Sequence, residues 1–132
     1  MPDTTTSYYY ARTLDLPPDE VEARLREELD KEDFGVLTEI DVKATLKKKL
    51  DVDFRPYKIL GACNPPFAHK ALEAESKIGT MLPCNVIVQA RDGQTEVAAV
   101  DPVASMQAID NADLQPIAEE IRDRLQRVID GV

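Results

Sequence analysis

Two Cys-Asn steps are the residues of this sequence best suited to chemistry: Gly61-Ala62-Cys63-Asn64-Pro65 and Leu82-Pro83-Cys84-Asn85. Each sets a thiol and an amide beside proline at what reads as a strand end. If Cys63 ends its strand and Asn64 caps a helix, the thiol lies near a helix N-terminus. The positive dipole end and free amides there favour thiolate over thiol. His69, the sole histidine, falls about one turn into that helix. Cys84 opens a strand that could pair beside the one ending at Cys63, bringing both sulfurs to one edge of a sheet. Three readings stay open: small buried core thiols, a reactive or redox pair, or a soft-metal or cofactor site using Cys63, Cys84 and His69. The last is one ligand short of a closed zinc site. Asn64 and Asn85 add weight to a site, because buried amides need partners and often hold turns or ligands.

Among the carboxylates, Glu39 and Asp41 stand out, since both point to one face of an otherwise apolar strand. If the other face is the core, they line the exposed sheet surface, as solvated residues or in an acid/base or ligand role. Alternation puts Tyr8 and Tyr10 on one strand face and Tyr9 on the other. The sequence has no Gly-rich phosphate loop, no G-x-S-x-G elbow and no H-E-x-x-H.

The elements that must position these groups are legible in the pattern. Ser7 to Leu16 reads as a strand stopped by Pro17-Pro18. A helix follows on the apolar stripe Val21, Leu25 and Leu29, ending at Asp33-Phe34-Gly35 with Phe34 under its end. Val36, Thr38, Ile40 and Val42 alternate with Leu37, Glu39 and Asp41, which predicts a strand with the first set inward. A short helix from Lys43 to Leu50 has Leu46 and Leu50 inward and its lysines outward. Tyr57 to Ala62 is a strand, and a helix runs from Pro65 or Pro66 to about Lys77. After a loop at Gly79 to Pro83, the strands Cys84 to Ala90 and Thr95 to Val100 flank Arg91-Asp92-Gly93-Gln94 as a hairpin. A polar connection leads to a final helix, capped by Asn111 or Asp113, on Leu114, Ile117, Ile121, Leu125 and Val128. This order predicts an α+β fold, a mainly antiparallel sheet with helices on one face.

Length and charge bound the function. The 132 residues carry 16 Lys plus Arg against 25 Asp plus Glu, a net charge of −9. That field disfavours a general nucleic-acid or anionic-membrane partner. Residues 1–6 read as a flexible N-terminus and 7–132 as a single domain. No apolar run reaches the roughly 18 residues of a membrane span, and two cysteines without a disulfide framework or C-x-x-C spacing predict a cytoplasmic protein with reduced thiols. All eight lysines lie between Lys31 and Lys77, so a local basic patch is expected on an acidic body.

Taken in order, Asp33-Phe34-Gly35-Val36-Leu37-Thr38-Glu39-Ile40-Asp41-Val42, Tyr57-Lys58-Ile59-Leu60-Gly61-Ala62-Cys63-Asn64-Pro65, Leu82-Pro83-Cys84-Asn85-Val86 and Asp101-Pro102 resemble the domain of unknown function family 302. The resemblance runs from about Ser7 to Asp130. It implies a curved antiparallel sheet backed by helices, similar to the TATA-binding-protein-like class, and homodimers in prokaryotic cytoplasm. It implies no reaction. The expected function is a small-ligand or metal binding module with Glu39, Asp41, Cys63, Asn64, Cys84 and Asn85 around one site. A thiol-dependent redox enzyme using Cys63 and Cys84, or a purely structural dimerisation domain, are the alternatives.

Overall fold

Five strands form one antiparallel sheet in the order β1-β5-β4-β3-β2: β1 (Tyr9–Leu14), β2 (Gly35–Asp41), β3 (Tyr57–Cys63), β4 (Cys84–Arg91) and β5 (Gln94–Val100). The computed structural model describes residues 8–132. The expected flexible N-terminus at 1–6 and the start of the first predicted strand at Ser7 lie outside the described residues. Between the strands run α1 (Pro18–Lys31), α2 (Val42–Leu50) and α3 (Pro65–Ala74), and after them α4 (Pro102–Ser105) and α5 (Leu114–Gly131). The fold is α+β, as the element order predicts.

The apolar stripes decide the packing. Val21, Leu25 and Leu29 of α1 and Ile121, Leu125, Val128 and Ile129 of α5 cover one sheet face. There they meet Leu60, Ala62, Cys84, Val86, Val88, Val97 and Ala99 in the main core. Phe34 is buried in the same core, as expected at the end of α1. A second cluster, Ala71, Ile78, Met106, Leu114 and Ala118, lies between α3, α4 and the start of α5. The β4–β5 turn matches its sequence: Asp92 and Gly93 both take positive φ, the conformation a two-residue hairpin loop requires.

Four local expectations are corrected. The alternation in β2 breaks between Val36 and Thr38, where the pairing with β3 shifts register. The extra residue of this bulge, Leu37, turns the rest of the strand over. Thr38 and Ile40 therefore leave the core side, and Ile40 is 47% exposed. The short helix α2 buries none of its residues, with Leu50 turned outward. α3 ends at Ala74 rather than near Lys77, and a 3-10 turn (Ile78–Met81) fills the expected loop so that Ile78 is fully buried. Finally, the polar connection after β5 contains α4, whose first amides are capped by Asp101.

Candidate functional site

The Cys-Asn steps meet at one end of the sheet. Ala62 pairs directly with Cys84 in the β3–β4 ladder, so Cys63 and Cys84 sit at the same ends of neighbouring strands. Both thiols are free, and both line an apolar pocket of about 220 Å³. Its walls also include Asn64, Phe67 and Ala68 around the start of α3, Met106 beyond α4, and Ile117, Ala118 and Ile121 of α5. The pocket lies along the seam between the two core clusters, drawing Phe34, Ala62 and Ile121 from one and Ala71, Met106 and Ala118 from the other. None of its lining side chains is charged.

The two cysteines differ in their surroundings. Cys84 is buried, and that burial, with a smaller contribution from the neighbouring Cys63, pushes its pKa up to about 11. A thiol in that state is a poor nucleophile at neutral pH. Cys63 is only partly buried. Asn64 is the N-cap residue of α3 by position but makes no capping bond with its side chain. Its Nδ2 instead donates to the carbonyl of Glu32, 3.3 Å away, at the end of α1. An Arg124 guanidinium nitrogen donates to the same oxygen at 3.1 Å.

The other expected site residues lie elsewhere. Glu39 turns toward α1, where it pairs with Arg26 and, at 3.5 Å, with Lys58. The bulge at Leu37 is the cause, since it moves Glu39 onto the helix-covered face rather than the exposed surface. Lys58 also reaches Glu22 at 3.0 Å, completing a network of alternating charge between α1 and the sheet. Asp41 caps α2, accepting from the Ala44 amide at 3.0 Å. Asn85 is exposed and lines a separate cleft of about 380 Å³ on the other sheet face, with Tyr9, Tyr57 and Gln89. Tyr8 precedes β1, so alternation does not bind it: it meets Tyr9 edge-to-face with ring centroids 4.8 Å apart, in that same cleft.

His69 does not approach the thiols. It is exposed on α3 and paired with Glu73 at 3.2 Å. Among the described residues, no group of three or more His, Cys, Asp or Glu is arranged to hold a metal ion. The lysine-rich α2 is partly neutralised at its end, where Lys47 pairs with Asp51 at 3.0 Å and Asp53 at 3.5 Å.

The pocket walls supplied by α4 and α5 were not among the expected site residues. A signal for α5 is present, since Ile117 and Ile121 are four apart on its apolar face. For α4 it is Asp101-Pro102, a strong helix start: the Asp101 carboxylate accepts from Val103 N at 2.9 Å and Ala104 N at 3.3 Å. That short helix carries Met106 to the pocket wall.

This sheet, with the paired strand ends and their Cys-Asn steps, defines an α+β domain of a recognised type. The model of the family described as domain of unknown function DUF302 matches residues 10–132, and the chain belongs to that family. Among solved structures it is similar to an uncharacterized conserved DUF302 protein from Bacillus stearothermophilus, with 32% sequence identity and a TM-score of 0.87. That match covers 92% of this chain and 95% of the other. No curated protein matches the chain.

Proposed function

We propose that the domain is a small-ligand binding module whose site is the apolar pocket beneath α3, at the ends of β3 and β4. One observation carries this reading: an uncharged pocket of about 220 Å³ opens where Cys63, Asn64 and Cys84 come together. Small-molecule sites are concave and mostly apolar with a few polar groups, and this pocket, with Asn64 set among apolar side chains, has that character. Of the six residues expected to form the site, Cys63, Asn64 and Cys84 are retained in this proposal. Glu39, Asp41 and Asn85 are left out.

The family resemblance supports a homodimer acting in a prokaryotic cytoplasm, and the charge and hydropathy of the sequence support a list of partners without nucleic acid or membrane. The charge of −9 agrees with the absence of nucleic acid from that list. Among the described residues no helix is long and apolar enough to cross a membrane.

Titration with benzene, followed by NMR of the Met106 and Ile117 methyls, tests the pocket. Saturable shifts are expected in the unmodified protein and their loss in Ala68→Leu, whose larger side chain fills the space. Absence of saturable shifts in the unmodified protein refutes the reading. Native mass spectrometry of freshly purified reduced protein reports the subunit number and any retained ligand.

A further inference from the structure

We propose that the sheet face opposite α1 and α5 is the surface by which two copies of this chain pair, sheet on sheet, about a two-fold axis parallel to β4. This rests on the homodimer reading above and names its interface.

The observation is a row of apolar side chains that crosses the whole sheet. Ile40 of β2 pairs with Ile59 of β3, Ile59 with Ile87 of β4, Ile87 with Ala98 of β5, and Ala98 with Ala11 of β1. Leu60 beside Ile59, Val86 and Val88 beside Ile87, and Val97 and Ala99 beside Ala98 all belong to the main core. Alternation therefore points the row to the other face. The bulge at Leu37 completes it, because it turns Ile40 to that side. The water-facing side of an antiparallel sheet commonly carries polar side chains. Here the polar groups form the adjoining row, Tyr57, Gln89, Glu96 and Thr13. An apolar strip with a polar border has the anatomy of a protein interface.

The shape of the strip selects the partner. Its β2–β4 half is three isoleucines, none of them buried, with Ile40 47% exposed. Its β5–β1 half is two sunken alanines, Ala98 at 8% and Ala11 at 5%. A two-fold axis parallel to the strands, above β4, reverses the row against itself. Ile40 then meets the partner's Ala11, Ile59 meets the partner's Ala98, and Ile87 meets its own copy on the axis. The ridge of each copy fills the hollow of the other. Facing sheets pack about 10 Å apart in this way, and large residues set against small ones fill the layer between them.

Charge agrees with the same axis. Arg55 reaches this face, where its Nε donates to Oε1 of Gln89 at 2.9 Å, and Nε2 of Gln89 donates to Glu96 at 2.8 Å. The axis sets β3 over the partner's β5, so Arg55 and Tyr57 of each copy face the partner's Glu96. Two identical links, basic at one end and acidic at the other, are thereby crossed and attract. Arg91 and Glu96, the charged residues lining the cleft on this face, cancel. Two chains of −9 can approach here without the repulsion that the rest of their surface imposes.

Sedimentation equilibrium and native mass spectrometry of the full chain are expected to show a dimer. Ile87→Lys sets two ammonium groups against each other on the axis and should weaken it at least tenfold. Arg55→Glu and Glu96→Arg should each weaken it as well. Mixed in equal amounts, these two variants should form a heterodimer, because both crossed contacts are then Glu with Arg. Circular dichroism checks the fold of each variant, and the border pair decides the matter should Ile87→Lys fail to fold. An unmodified protein that stays monomeric at millimolar concentration would overturn the homodimer reading and this interface together. A dimer left intact by a folded Ile87→Lys, or border variants that do not pair selectively, would overturn the interface and leave the homodimer standing.

Discussion

Asn64 at the start of α3 donates through Nδ2 to the main-chain carbonyl of Glu32 at the end of α1, 3.3 Å away. The bond joins two helix ends that are distant in sequence, and Arg124 of α5 donates to the same oxygen. Three helices therefore meet at one acceptor. Its position beside the pocket ties the stability of the wall to the shape of the site.

Replacing Asn64 by Ala removes one of the two donors to that carbonyl. A net loss of about 1 kcal/mol in unfolding free energy is expected, since Arg124 keeps the acceptor satisfied. Urea denaturation at neutral pH measures it. A loss near zero would mean that the Asn64 bond contributes nothing beyond what water supplies.

Cys84 gives a pH signature of its own. Its pKa is pushed up from 9.0 to about 11 by burial and then by Cys63, so the folded protein holds that proton more tightly than the unfolded chain. The sign is fixed by this: stability from Cys84 is complete below pH 9, declines as pH rises, and is lost through the folded value near 11. The full difference corresponds to about 2–3 kcal/mol. Unfolding free energies at pH 8 and pH 10.5 should fall further in the unmodified protein than in Cys84→Ala. At pH 8, timed alkylation with peptide mapping should modify Cys63 at least tenfold faster than Cys84, and equal rates would contradict the burial difference.

Arg12 fastens the last turn of α5 to the first strand. One guanidinium nitrogen donates to the carbonyls of Asp130 and Val132, both at 2.9 Å, and more weakly to Ile129 at 3.5 Å. These are the oxygens a helix leaves unpaired at its C-terminus. Arg12→Ala is expected to lower stability by about 2 kcal/mol, as befits bonds from a charged donor. Hydrogen exchange should speed up first in the last turn of α5. Protection there that is unchanged in the variant would rule out the fastening role.

Glu22 sets the acid limit of the α1–sheet network. Burial alone would raise its carboxyl, and it is the largest single influence. The hydrogen bonds from Lys58 and Arg26, with their charges, outweigh it and hold the group below its ordinary 4.5. Its contribution is therefore present above pH 4.5 and is lost as pH falls through the folded value. Glu22→Gln should lower stability at pH 7, and the difference from the unmodified protein should shrink toward pH 3. A difference that stays constant over this range would show that charge is not the cause.

How much of this was legible in the sequence depended on whether the signal was local. The stripes Val21-Leu25-Leu29 and Ile121-Leu125-Val128 locate the helices that cover the sheet, and Asp92-Gly93 locates the hairpin. Periodicity and turn chemistry act over a few residues, so these readings survive folding. Glu39 shows the opposite case. Its face was set by the extra residue at Leu37, and no composition rule marks where a strand will bulge against its neighbour. The pocket was legible in its floor, from Cys63, Asn64 and Cys84, but not in its walls. Those come from α4 and the first turns of α5, which only the tertiary fold sets opposite the Cys-Asn steps.

The strand order has a consequence for how the chain assembles. β1 pairs with β5, Tyr9 facing Val100, so the first of these five strands to be made finds its neighbour only in the last. The β4–β5 hairpin closes a short loop and forms quickly, whereas docking β1 closes most of the chain and carries a larger entropic cost. Until then β5 presents an unpaired edge and the main core lacks Tyr10 and Leu14, which pack against it. The interval before β1 docks is thus when a nascent chain is most open to pairing with another copy.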